Sequence, residues 1–216
     1  MKNVIDNSNL KTIILDCAHG INVAGKQSPC GLFKEYEWSR YIQYRIAELL
    51  KVKEIPFVLV PEKNNDREIG LLNRVQRFNK IDNAFVFSLH SNAHGNGNNW
   101  TNARGVENFN YLNSKLSKPY NEKIYNAVKD NFPNINGSFN YNTFWRGVKE
   151  AKFTVLTSKH PSVLFEWLFM TNKDDLALLQ DEKTNHYLAE CLANQLELIS
   201  LGVDKIESRV KKEKRI

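Results

Sequence analysis

Apolar residues fall along this chain in two rhythms. Thr12–Asp16, Phe57–Val60 and Ala84–Leu89 are short apolar runs, the length and composition of buried strands. The second is stopped by Pro61. Between them the spacing turns helical. Glu35–Val52 places Trp38, Ile42, Ile46, Leu49 and Leu50 on one side, and Arg67–Lys80 does the same with Leu71, Val75 and Phe78. His94–Gly105 is rich in Gly and Asn and reads as a loop. Gly105–Tyr111 reads as a strand, and Ser114–Asn131 as a helix followed by a Gly/Asn-rich stretch to Asn142. Phe153–Leu156 and Ser162–Trp167 are predicted as the last two strands. Asp174–Leu201 is predicted helical, with a break near Asp181–Thr184.

Strands and helices that alternate in this way predict a single α/β domain. Its twisted, mostly parallel central sheet would have about six strands, flanked by helices on both faces. The length of 216 residues suits one domain, and 42% hydrophobic with 25% charged residues excludes disorder and coiled coil. No apolar stretch approaches a membrane span. The N-terminal apolar run, Thr12–Leu15, ends in Asp16 and is too short for a secretory signal core. Cys17, Cys30 and Cys191 are odd in number and fit no CxxC pattern, so they are expected reduced. The net charge is +6, with the excess concentrated at the end: Lys205, Arg209, Lys211, Lys212, Lys214 and Arg215. This divides the chain into a domain over 1–204 and a basic tail over 205–216, either simply solvated or attracted to a polyanion. Elsewhere the charges are mixed in sign and no recognition motif is visible, so neither a nucleic-acid partner nor membrane insertion is expected.

In such sheets, sites collect where strands end. His19 follows the first strand, His90 ends the third, and Glu166 sits among Val163, Leu164, Phe165, Trp167 and Leu168 in the last. A carboxylate at the start of the first helix completes the set. Glu35 lies three and seven positions before Trp38 and Ile42, on the buried face, whereas Glu37 falls with Tyr41 and Tyr44 on another. The spacing favours Glu35 and leaves Glu37 as the alternative. Two histidines and a carboxylate suit a catalytic zinc with an open position for water, though iron or manganese would accept the same donors. Glu166, costly to bury without purpose, is the candidate proton shuttle. His94, His160 and His186 read as ordinary surface or core histidines.

Five stretches carry a resemblance. ILDCAHG, GLFKEYEW, FSLHSNA, GVENF and SVLFEWLFMTN occur in the order of the boxes of the type 3 zinc-dependent N-acetylmuramoyl-L-alanine amidases of bacterial cell-wall hydrolases and phage endolysins. The likeness covers roughly residues 11–200. Carried over by position, it implies one zinc held by His19, Glu35 and His90, with Glu166 as the catalytic carboxylate. It implies cleavage of the amide between N-acetylmuramic acid and L-alanine of the stem peptide, with peptidoglycan as partner; separately, a monomer is expected. Arg74 matches a recurring arginine of the family and could be an ion-pair partner or a substrate contact. The sequence departs from the pattern where Cys17 and Ala18 replace a usual Pro-Gly pair and Ile21 replaces a second glycine. Loop 94–105, with Trp100 and Arg104, and segment 142–152, with Phe144, Trp145 and Arg146, are expected as crevice walls. The rivals are a zinc peptidase or deacetylase, and a non-catalytic wall-binding module on the same fold. Action in the periplasm or cell wall is expected. With no signal visible, the expectation leans to a phage or prophage protein released at lysis, with a bacterial amidase lacking its signal peptide as the alternative.

Overall fold

The computed structural model describes residues 10–132 and 144–202. The basic tail, its boundary and the Gly/Asn-rich stretch up to 143 lie outside the described residues. The chain runs β1 (Thr12–Cys17), α1 (Glu35–Val52), β2 (Phe57–Val60), α2 (Leu71–Phe78), β3 (Ala84–Asn92), β4 (Val106–Tyr111), α3 (Lys118–Asn131), β5 (Trp145–Ala151), β6 (Ser162–Phe169), α4 (Lys173–Gln180) and α5 (Glu182–Leu201). One six-stranded sheet has the order β2-β1-β3-β6-β4-β5. Strands β2, β1, β3 and β6 are parallel, while β4 pairs antiparallel with β6 and parallel with β5. The fold is the expected mostly parallel α/β domain. Among the described residues no helix is long and apolar enough to cross a membrane.

Strand alternation assigns each residue to one face. Ile13, Leu15, Phe85, Phe87, Val163 and Phe165 join the larger core with Ile42 and Ile46 of α1, Ile124 of α3 and Leu192 of α5. Side chains such as Phe87 and Phe165, fully withdrawn from water, each contribute on the order of 1.5–3 kcal/mol by burial. Ile14, Val86 and Leu164 point the other way, into a smaller core made with Val75 and Phe78 of α2 and with Val155 and Leu156. The second cover is short. Beyond it, towards the carboxyl ends of β1, β3 and β6, the sheet opens into a cavity.

Two expectations shift. The strand expected at Phe153–Leu156 is a turn of 3-10 helix, Thr154–Thr157, packed against α2. Its apolar residues are buried, but as a plug over the smaller core and not as part of the sheet. The strand instead lies at Trp145–Ala151. As the sheet's edge it pairs only with β4, so little of it is buried and its apolar pattern is faint. The second helix begins at Leu71, not Arg67, because Gly70 stands before it at φ 87°. The expected break at Asp181 is real: Asp181 Oδ2 accepts from the Thr184 amide at 2.7 Å and starts α5.

Candidate metal centre

His19 leaves the end of β1 at φ 45°, a backbone conformation costing a non-glycine residue on the order of 1–3 kcal/mol. Its surroundings hold it there. The His19 carbonyl accepts from Arg40 Nη2 and from Arg74 Nη2, both at 3.0 Å. Arg40 Nη1 donates to the Ala18 carbonyl at 3.1 Å, and Ser39 Oγ accepts from the Ala18 amide at 2.8 Å while donating to the Leu89 carbonyl at 2.7 Å. Arg40 and Ser39 sit on the inner face of α1, so the helix that offers Glu35 also fixes the loop that offers His19.

Glu35 is the first residue of α1 and is 2% exposed. A carboxylate there faces the positive end of the helix dipole. Its Oε1 lies 2.9 Å from His90 Nδ1 and its Oε2 lies 3.3 Å from His19 Nε2. The two imidazoles meet edge to face, with ring centroids 5.1 Å apart. Burial alone would raise the Glu35 carboxyl, but hydrogen bonds from His19 and His90, and their charge, outweigh it and hold the pKa at about 2. One ligand atom from each of His19, Glu35 and His90 can be chosen so that all lie within 4.8 Å of one another, the one such cluster among the described residues. Glu37 is turned away, exposed, with its Oε1 bonded to Tyr36 Oη at 2.8 Å and paired with Lys34 at 3.4 Å. His160 is buried against the Phe78 carbonyl and His186 pairs with Glu190 on α5.

Glu166 is the direct neighbour of His90 across β3–β6 and of Glu107 across β6–β4, so the three share one face of the sheet. The two carboxylates have different surroundings. Glu107 accepts from Asn92 Nδ2 at 2.6 Å and Arg146 Nε at 2.8 Å, and also from Lys149. Against the cost of burial, the hydrogen bonds from Lys149 and Arg146 hold its pKa below the ordinary value. Glu166 has no such support. Its Oε2 is buried without a hydrogen-bond partner. Burial first, then the negative charges of Glu35 and Glu107, push its pKa well above the ordinary carboxylate range.

His19, His90 and Glu166 line one cavity of about 310 Å³, together with Asp16, Lys26, Leu71, Arg74, Lys152 and the 153–155 turn. Of the two expected walls, segment 142–152 supplies Lys152. Arg146 of that segment is committed to Glu107. Loop 94–105 supplies none of these lining residues. Its Arg104 pairs with Asp174 and Asp175, and its Trp100, Thr101 and Asn102 line a separate cavity with Asn172, Lys173 and Asp174. Arg74 is 1% exposed and bound to Asp16 and Glu68, so it is an ion-pair partner with one edge on the cavity. Sequence reasoning missed Arg40 and Ser39, whose inward helical spacing from Glu35 was the available signal. It also missed Lys26, which no pattern marks, and reached Lys152 only as the last residue of an expected wall.

Comparison with known proteins agrees with this geometry. Residues 13–197 match the family described as N-acetylmuramoyl-L-alanine amidase. The chain is similar to an endolysin of Bacillus phage SPP1, at 27% identity over 215 residues, covering 94% of this chain and 71% of that protein. The crystal structure of an N-acetylmuramoyl-L-alanine amidase from Clostridium difficile 630 is similar at TM-score 0.75 and 26% identity, covering 88% of this chain and 96% of that one. The fold is shared with the CwlD amidase of Clostridioides difficile at TM-score 0.74 and 22% identity, covering 88% and 98% of the two chains.

Proposed function

This chain belongs to the N-acetylmuramoyl-L-alanine amidase family, and from that premise we propose that His19, Glu35 and His90 hold one zinc ion and that Glu166 carries the proton of the reaction. The activity is that of a peptidoglycan hydrolase, cutting the amide between N-acetylmuramic acid and L-alanine of the stem peptide. The peptidase, deacetylase and binding-module readings give way to family membership. The observation that carries the site assignment is the meeting of two imidazoles on the two oxygens of one buried carboxylate, with the unpartnered Glu166 on the same cavity. A set of two nitrogen donors and one oxygen fits zinc, with room left for water and a substrate carbonyl.

Bound there, zinc would lower the pKa of a water towards neutrality and polarise the scissile carbonyl. The chain's own residues do the rest. Glu35 keeps its negative charge down to low pH and so stays a ligand. Glu166 Oε2, bonded to nothing else, is free to take a proton from the attacking water and return it to the departing amine. Its desolvated setting gives it the raised affinity for a proton that this task needs. Arg40 and Arg74 keep the His19 main chain in place throughout.

All four groups come from one chain, so the site is complete in a monomer. The likeness to a phage endolysin supports action in the periplasm or cell wall after release at host lysis. The experiment is elemental analysis of the purified protein and of His90→Ala, paired with product analysis on intact sacculi. About one zinc per chain, lost in the variant, with free stem peptides appearing only with the unaltered protein, is expected. Stoichiometric iron or manganese would correct the metal. No metal after resupply would overturn the assignment.

A further inference from the structure

The cavity beside Glu166 carries charge that hydrolysis does not use. Seven of its lining residues are ionisable: Asp16, His19, Lys26, Arg74, His90, Lys152 and Glu166. Asp16 is neutralised by Arg74 and accepts from Ser88. Arg74 spends its other donors on Glu68 and on the carbonyls of Cys17 and His19. Both histidines are turned onto Glu35. Glu166 stands beside His90 on the sheet face and is reserved for the proton of the reaction. Two ammonium groups are left, and among the described residues neither Lys26 nor Lys152 has an ion-pair or hydrogen-bond partner for its side chain. These two ammonium groups are the cations of the wall that no described carboxylate or carbonyl holds by contact. Between the charges the wall is apolar, with Leu71, Phe153, Val155 and Leu164.

We propose that Lys26 and Lys152 form a carboxylate subsite that selects stem peptides by the free α-carboxylate of the residue following L-alanine. The inference rests on the amidase activity, because the chemistry of that substrate decides which side of the scissile bond the lysines meet. On the sugar side, the lactyl carboxyl of muramic acid is consumed in the amide that is cut, and the ring is neutral. On the peptide side, the alanine carboxyl is consumed in the next bond. The following residue, a glutamate joined through its side-chain carboxyl, is the first to offer an anion, and it loses that anion when amidated. An alanine methyl group suits the apolar wall at Val155 and Leu164, one residue short of that anion. Lys26 and Lys152 are both exposed and flexible, so they act as point charges and not as a rigid fork. A charge-assisted contact of this kind is worth roughly a tenfold preference.

The test uses two soluble disaccharide-peptides that differ only in that group, carboxylate against carboxamide, cleaved by the zinc-loaded full chain. Intact sacculi serve as the control for amidase activity. The expected result is a KM roughly tenfold lower for the carboxylate, a preference that weakens as salt rises. In Lys26→Gln, Lys152→Gln and the double variant, the preference should collapse towards one through KM on the carboxylate substrate. A protein that digests sacculi yet treats both peptides alike, or lysine variants that keep the full preference, would overturn the subsite and leave the amidase standing. A protein that frees no stem peptide from sacculi would overturn both.

Discussion

Asp16 and Arg74 face each other at 2.6 Å with side chains 0% and 1% exposed, an ion pair closed off from solvent beneath the His19 loop. One partner is the penultimate residue of β1 and the other sits on α2. The pair therefore ties the sheet to the cover of its smaller core at the point where the candidate metal centre begins. Arg74 also reaches the His19 carbonyl, so a structural contact and a site contact share one guanidinium.

Removing Arg74 should unfold the protein more readily than removing any surface charge. Arg74→Met leaves Asp16 buried without its partner, a change that costs about 3–5 kcal/mol. For a chain of this size the melting temperature should fall by roughly 10 °C. Arg74→Lys keeps the charge but not the fork and should fall between. Calorimetry on metal-free protein checks this, and a loss below about 1 kcal/mol would contradict it.

Gly20 should be irreplaceable for metal affinity. A Cβ there would stand 2.1 Å from the Glu68 amide nitrogen, against main chain that cannot swing aside. Gly20→Ala must move either the His19 loop or the segment carrying Glu68. Zinc affinity is expected to drop about 10- to 100-fold, as for other changes in the surroundings of a ligand. Titration against a competing chelator reads the loss, and unchanged far-ultraviolet dichroism would show that the fold remains.

Glu107 offers a pH test. Its pKa lies below the ordinary value of 4.5, so the unfolded chain takes up the proton first as pH falls. Its ion pairs therefore stabilise the protein fully above that value and lose their contribution as pH drops through the folded value. Glu107→Gln should cost about 1–2 kcal/mol at pH 7, and the deficit should shrink in acid. Denaturant melts of parent and variant across that range would show the two curves converging. Parallel curves would contradict the assignment.

Glu166→Gln should separate activity from stability. Loss of the proton carrier should lower kcat by about 10²–10⁴ while zinc content is kept. The linkage has the opposite sign from Glu107. A raised pKa means that above 4.5 the unfolded chain binds fewer protons than the folded one, so the parent loses stability as pH rises. The neutral variant escapes that loss. Metal-free Glu166→Gln should thus be more stable than its parent at pH 7, with the gap closing towards pH 4.

Much of this was legible because burial leaves a mark on sequence. Glu35 could be told from Glu37 since Trp38 and Ile42 fix which side of α1 faces inward, and the structure has Glu35 buried and Glu37 exposed. Glu166 stood out as a charge in an apolar strand. What stayed hidden depended on partners far along the chain. β5 is an edge strand, so only β4 betrays it, and the 153–156 run resembles a strand because a buried plug needs the same apolar residues. Loop 94–105 looked like a cavity wall by composition, but Arg104 draws it towards Asp174 and Asp175. Lys26 and Lys152 are ordinary surface lysines in sequence, and only the third dimension brings them to one opening.

The two arginines hold the loop through its carbonyl oxygens, those of Ala18 and His19, and through none of its side chains. That ties the shape of the loop to its main chain, and leaves the exposed side chains on it little say. Ile21, exposed at the surface, can vary without moving the imidazole, whereas Cys17 and Ala18 are fully buried and must stay small. The freedom to vary falls to the outward side of the loop, and the obligation to stay constant to Arg40, Arg74 and Gly20. A saturation library scored for wall lysis should find substitutions accumulating at 21, only small residues at 17 and 18, and substitutions purged at 20, 40 and 74.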